Sequence, residues 1–274
     1  MANNVGLEFA GITDPGLIRS QNEDAIAIST SHSFAVLADG MGGYNAGEVA
    51  SSIASTVAKN VLEQSIRPSV ESTKGLPASG RQLQQVVVDA IQKANRAVLE
   101  AAQAEPQYHG MGTTIVAAVF HEDKVTIAHV GDSRAYRHRQ GELTRLTRDH
   151  SLLQEQIDAG LVDAAMARFS HTKNLVTRAV GVSVDVQVEI HDHQLQAGDI
   201  YLLCSDGLSD MLTDEDISRT VTNRQGTLEE VCRTLVELAN DKGGYDNISI
   251  ILVKVLTHGA GATGFFGRIL NWVS

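Results

Sequence analysis

Cysteine is scarce in this chain: two residues of 274, Cys204 and Cys232. So distant a pair supports neither a disulfide framework nor a thiolate cage for zinc. Cys204 falls in a strand pattern and Cys232 in a helical one, so both read as small buried apolar side chains. Clustered histidine is missing as well. His191 and His193 are the one close pair, in an acidic stretch that reads as solvated surface. No basic run offsets the net charge of −11, which argues against a nucleic-acid partner. No window reaches the roughly 18 apolar residues of a membrane span. Met1 to Gly11 shows neither the basic start nor the apolar core of a signal peptide, so a cytoplasmic protein is expected.

What the chain does have is three aspartates at the ends of apolar runs. Asp39 follows Phe34-Ala35-Val36-Leu37-Ala38 and opens Asp39-Gly40-Met41-Gly42-Gly43. Asp206 follows Ile200-Tyr201-Leu202-Leu203-Cys204-Ser205 and opens Asp206-Gly207-Leu208. Asp246 follows Gly243-Gly244-Tyr245 and precedes Ile248-Ser249-Ile250-Ile251-Leu252-Val253. Short β-branched runs bounded by glycine read as buried strands. If the third strand runs antiparallel to the first two, all three carboxylates emerge at one end of a sheet. Like charges so gathered repel in a partly dry site unless cations neutralise them. Carboxylates and glycine-turn carbonyls are hard oxygen donors, which suit Mg²⁺ or Mn²⁺.

At 43% hydrophobic residues, the chain can bury one large core or two modest ones. Strand patterns fall near 5–12, 25–29, 33–38, 113–120, 124–130, 133–139, 185–190, 199–204 and 247–255. One helix carries Val49, Ile53, Val57 and Val61 at four-residue spacing, and a second carries Leu83, Val87, Ile91, Ala94 and Val98. A polar connector at 68–80 separates them. Two shorter helices fit 214–222 and 227–240. Grouped strands and grouped helices favour antiparallel sheets covered by helices, an α+β arrangement. Residues 1–256 read as one domain. Residues 257–274 read as a glycine-rich linker and a short apolar tail, with Phe265, Phe266, Ile269, Leu270, Trp272 and Val273 as a stripe. Docking of the tail on its own domain is expected over membrane contact, because Arg268 is its one basic residue.

Six motifs in order resemble the metal-dependent phosphatases of the protein phosphatase 2C family, bacterial type. They are Arg19-Ser20-Gln21-Asn22-Glu23-Asp24, Asp39-Gly40-Met41-Gly42-Gly43, Gly112-Thr113-Thr114, Val130-Gly131-Asp132-Ser133-Arg134, Cys204-Ser205-Asp206-Gly207-Leu208 and Gly243-Gly244-Tyr245-Asp246-Asn247. Each alone is weak, since Asp-Gly is a common turn dipeptide. The resemblance covers nearly all of 5–256. It implies a four-layer αββα sandwich of two antiparallel sheets flanked by helices, with a two-metal centre at one end and a flap at about 148–175.

It also implies roles. Asp39 would bridge two Mn²⁺ or Mg²⁺ ions, the Gly40 carbonyl would help hold one, and Asp206 with Asp246 the other. Glu23 and Asp24 would reach the first ion through its waters. Two ions that share an activated water hydrolyse a phosphate monoester without a covalent enzyme intermediate. Arg19 is the candidate phosphate clamp, since a guanidinium bonds two phosphate oxygens at once; the competing reading is a surface arginine paired with Glu23 or Asp24. Asp132 would hold a third, weaker ion together with Asp206, or else cap the turn between two strands. Asn247 would orient Asp246. Gly112-Thr113-Thr114 reads as a strand start packed near the site.

Animal members carry a histidine, assigned as general acid, where this chain has Met41. A thioether has no proton to give, and bacterial relatives share the methionine. Tyr44 reads as covering a helix start. In the flap, Asp149, His150, Arg168, His171 and Lys173 suggest a solvated, mobile segment that selects substrates, with its histidines in ordinary loop positions. The implied function is a monomeric protein serine/threonine phosphatase that opposes a Ser/Thr kinase and acts on phosphorylated proteins. The alternative is a catalytically weak metal-binding regulatory module of the same fold. A haloacid-dehalogenase-type phosphatase is disfavoured, because Asp39-Gly40-Met41 lacks a second aspartate two residues on.

Overall fold

A computed structural model describes residues 6–43, 46–66, 80–163, 175–223 and 226–256. The connector short of Gly80, the tail, Tyr44, and Arg168, His171 and Lys173 of the flap lie outside the described residues.

Eleven strands and six α-helices are found among the described residues. In chain order they are β1 (Leu7–Asp14), β2 (Asp24–Ser29), β3 (Phe34–Met41), α1 (Ala46–Ser65), α2 (Gly80–Ala104), β4 (Gly112–Thr113), β5 (Ile115–His121), β6 (Lys124–Val130), β7 (Arg134–Arg139), β8 (Glu142–Arg145), α3 (Leu152–Asp158), β9 (Glu189–Gln194), β10 (Ile200–Cys204), α4 (Asp206–Ser209), α5 (Asp214–Thr222), α6 (Leu228–Asp241) and β11 (Ile248–Val255). One sheet runs β1-β11-β10-β7-β8 and the other β2-β3-β5-β6-β9, with β4 added to β3. The pairings are antiparallel throughout.

Alternation along the strands builds the layers. Ala35, Leu37, Val116 and Ala118 point inward from one sheet and meet Tyr201, Leu203, Ile251 and Val253 from the other. The opposite faces carry Val36, Ala117 and Val119 under α1 and α2, and Leu202, Ile250 and Leu252 under α5 and α6. The result is the expected helix–sheet–sheet–helix sandwich. Thr213 with Asp216 and Thr227 with Glu230 form reciprocal capping boxes that start α5 and α6.

Four local expectations change. The stripe Val49, Ile53, Val57 and Val61 is only half-buried; the buried seam of α1 is Ala46, Ala50, Ala54, Ala58 and Leu62. Small side chains let the helix approach sheet and α2 closely, while the larger ones fill the flanks. The strand expected at 185–190 instead spans 189–194. The ladder with β6 fixes it, from Lys124↔Gln194 to His129↔Glu189, and β6 ends one residue beyond His129. The short polar strand β8 gave no apolar signal, and it forms a hairpin with β7 through Gln140 and Gly141, both at positive φ. Part of the flap is ordered as α3, capped by Ser151. Among the described residues no helix is long and apolar enough to cross a membrane.

Candidate metal centre

The ends of the strands bring the carboxylates together. β2 and β3 pair so that Asp24 lies directly opposite Asp39. Asp206 opens α4 immediately after β10, and Asp246 stands just before β11. Because β10 and β11 are antiparallel, with Cys204 opposite Ile250, the two aspartates meet at one edge. Asp132 joins them from the turn between β6 and β7. Removal from water raises the Asp39 carboxyl well above its ordinary range, and Asp24, Asp206, Asp132 and Asp246 add to the shift. Asp206 is raised in the same way by burial, then by Asp132, Asp210, Asp246 and Asp24. Burial pushes Asp24 up to about 7, against hydrogen bonds that favour its charged form. Asp132 rises to about 6 through burial and the neighbouring Asp149. Asp24 Oδ1 is buried with no hydrogen-bond partner. An uncompensated cluster of oxygen donors with an orphaned carboxylate oxygen fits a hard divalent cation.

The site's scaffold is made of hydroxyls at and beside the strand ends. Thr114 N–H donates to the Asp39 carbonyl at 2.8 Å, and Thr114 Oγ1 accepts from Asp39 N at 3.1 Å. Thr113 Oγ1 donates to the same carbonyl at 2.8 Å, and Thr114 shares a 2.7 Å hydrogen bond with Ser133. On the other sheet, Ser205 Oγ donates to Asp24 Oδ2 at 2.8 Å and accepts from Ser249 N at 2.9 Å. Gly112-Thr113-Thr114 thus does more than start a strand. The signal available in the sequence was the hydroxyl itself, which must find a partner once it is buried beside apolar strands, although the sequence does not say which. Gly40 is required for packing, because a Cβ there would drive into the Gly47 carbonyl of α1. Gly131, at φ +106°, is required twice over: its conformation favours glycine, and a Cβ would lie 2.7 Å from the Thr114 side chain.

Arg19 Nη2 lies 2.8 Å from Asp246 Oδ2, with the arginine side chain 53% exposed. Its partner is therefore Asp246, neither Glu23 nor Asp24. The Glu23 carboxylate accepts from the Gly47 amide at the start of α1; burial raises its pKa and the nearby Arg19 lowers it. Asp246 is oriented by the backbone amide of Asn247, which donates to Oδ1 at 2.9 Å. The Asn247 side chain instead ties down the 15–23 loop: it accepts from Glu23 N at 2.8 Å and donates to Pro15 O at 3.0 Å and Gln21 O at 2.9 Å.

The start of the flap differs from the solvated segment expected. Asp149 and His150 are buried. Arg134 grips Asp149 through Nε at 3.1 Å and Nη2 at 2.7 Å, and Arg145 adds a 2.6 Å ion pair. His150 clamps Gly131 in both directions: its N–H donates to Gly131 O at 3.0 Å and its Nδ1 accepts from Gly131 N at 3.1 Å. The ring stacks on His129 at 4.6 Å. Burial, His129 and Arg178 push its pKa down to about 4. His129, His150 and Glu189 have donor atoms within 4.8 Å of one another, a grouping that sequence spacing hid. Arg178 Nη1, a cationic group, already stands 3.1 Å from His150 Nε2, the nitrogen a metal would need. The group therefore acts as a hydrogen-bonded strut between flap, β6–β7 turn and β9.

A family profile described as protein phosphatase 2C matches residues 19–242. The chain is 34% identical over 257 residues to the serine/threonine protein phosphatase PstP of Mycobacterium tuberculosis, covering 94% of this chain and 46% of that protein, so it spans about half of that relative's length. It is 35% identical over 247 residues to the serine/threonine phosphatase stp of Listeria monocytogenes, covering 88% of this chain and 93% of that one. The solved catalytic domain of PstP in complex with two manganese ions superposes with a TM-score of 0.78 at 34% identity, over 92% of this chain and 99% of that domain.

Proposed function

The chain belongs to the protein phosphatase 2C family, and we propose that it hydrolyses phosphoserine and phosphothreonine in proteins with two Mn²⁺ or Mg²⁺ ions and a weaker third. The observation that carries this reading is the set of raised carboxylates Asp24, Asp39, Asp132 and Asp206, gathered with Asp246 at one end of the sandwich. Their all-oxygen character suits those ions over zinc. Residues 1–256 make up the catalytic unit, with the flap at about 148–175 beside it; 257–274 is a linker and tail.

Asp39, with the Gly40 carbonyl, Asp206 and Asp246, would hold the two ions. Glu23 and Asp24 would support one of them through water, and Asp132 with Asp206 would hold the third. When bound, two such ions offset the charge of the phosphoryl group and lower the pKa of the attacking water. Arg19 takes two phosphate oxygens in a fork, which aligns phosphorus for in-line attack. The P–O bond to the serine or threonine breaks as the water oxygen bonds to phosphorus. Met41 has no proton to give, so the leaving oxygen takes its proton from water. The physiological setting is the cytoplasm, with the protein acting as a monomer against a Ser/Thr kinase and its substrates.

Phosphate release from phosphoserine and phosphothreonine peptides, with Mn²⁺ and after chelation, tests the reading. Turnover that needs the ion is expected. A folded protein that binds Mn²⁺ yet releases no phosphate would instead be a metal-binding regulatory module.

A further inference from the structure

Seven large apolar side chains are exposed among the described residues, and three of them are close sequence neighbours of Arg19 and Asp246. Leu17 and Ile18, each 65% exposed, immediately precede Arg19; Tyr245, 62% exposed, immediately precedes Asp246. The two loops that carry them are pinned together. Leu17 N and Ile18 N both donate to Gly244 O, at 2.8 and 3.3 Å, and a Cβ on Gly244 would lie 3.0 Å from Leu17 Cγ. The Arg19–Asp246 ion pair at 2.8 Å closes the same junction. None of the three side chains takes part in the chemistry derived above, yet each is held next to a residue that does. Apolar side chains exposed together on joined loops, unlike singly scattered ones, mark a surface that a ligand can cover.

We propose that Leu17, Ile18 and Tyr245 form an apolar rim that selects phosphopeptides with a large aliphatic residue beside the phosphorylated one. This rests on the phosphatase reading and names its substrate class. Consecutive Cα atoms are about 3.8 Å apart. With the phosphate on Arg19, residues within about two positions of the phosphoserine or phosphothreonine therefore fall over the neighbouring side chains of the rim. An aliphatic flank removes apolar surface from water on both partners, whereas a charged flank is desolvated there without a partner.

The test is phosphate release from one phosphothreonine peptide series with Mn²⁺, at concentrations below KM. The flanking positions on each side are set in turn to Leu, Ser, Glu and Lys. The leucine peptides are expected to exceed the serine peptides by about tenfold in kcat/KM, and the glutamate peptides to fall below both. Leu17→Ser and Tyr245→Ser together should erase the leucine advantage while hydrolysis of a small phosphate ester stays within about twofold. A flat flank profile, a preference for lysine, or a leucine advantage that survives both substitutions overturns the rim. Loss of small-ester turnover in the folded double variant also overturns it, because the rim would then serve the chemistry itself. If neither ester nor peptide is hydrolysed by the unaltered protein, the phosphatase reading falls and the rim falls with it.

Discussion

Single side chains at the carboxylate cluster are under opposing demands of solvation and charge. Asp39→Asn, Asp206→Asn and Asp246→Asn nearly preserve shape while each removes a ligand charge. Each is expected to lower Mn²⁺-dependent turnover at least about a hundredfold while circular dichroism stays that of the folded protein. Near-normal turnover in any one would remove that residue from the proposed ligand set. Arg19 is held by Asp246 and is half exposed. Arg19→Ala is expected to raise KM for phosphopeptides about tenfold, with a smaller change in kcat, because the clamp acts on ground state and transition state alike. Steady-state kinetics separates this from a purely chemical role, which would depress kcat with KM unmoved. The individual aspartates could be picked from the sequence because strand ends and Asp-Gly turns mark them. The partners of their hydroxyl supports could not: Thr114, Ser133, Ser205 and Ser249 bond residues 19 to 181 positions away, which no local pattern shows.

Among the secondary-structure elements, α1 shows how a correct helix can carry the wrong face. The valine and isoleucine stripe is the stronger hydrophobic signal, yet the alanine seam lies at the sheet. Ala54→Leu is expected to overpack that seam and destabilise the protein by about 1–3 kcal/mol. Thermal denaturation of the chelated protein should register this as a fall of several degrees. An unchanged midpoint would show that α1 has room against the sheet. The flap start gives the converse lesson. Asp149 and His150 look like solvated loop residues in the sequence, but Arg134, Arg145 and Gly131 bury them.

For the molecule as a whole, the cluster makes stability depend on pH. An aspartate whose folded pKa is raised keeps a proton that the unfolded chain has already released. Its favourable contribution is complete below the ordinary value of 3.8 and is lost as pH climbs towards the folded values, about 6 for Asp132 and about 7 for Asp24. The lowered histidines, His150 among them at about 4, gain stability as pH rises to their ordinary 6.5 and oppose this trend below it. The chelated protein is therefore expected to melt at progressively lower temperature between about pH 7 and 8. Mn²⁺ should counter the decline, since binding at 100 times Kd adds about 2.7 kcal/mol. A melting temperature that rises over this range without metal would show that the carboxylates are not strained by one another.

The sequence by itself determined most strands, the long helices, the α+β class and Asp39, Asp206 and Asp246, because each rests on local spacing: apolar alternation, helical periodicity, and glycine beside a strand. The four-layer sandwich followed from the family resemblance. Tertiary structure alone decided which face of α1 is buried, where β9 begins, which carboxylate Arg19 holds, and that His129 meets His150. Each of these depends on a register or a contact between segments far apart in the chain. Local pattern shows that a residue needs a partner, and only the packed sheets show which one it gets.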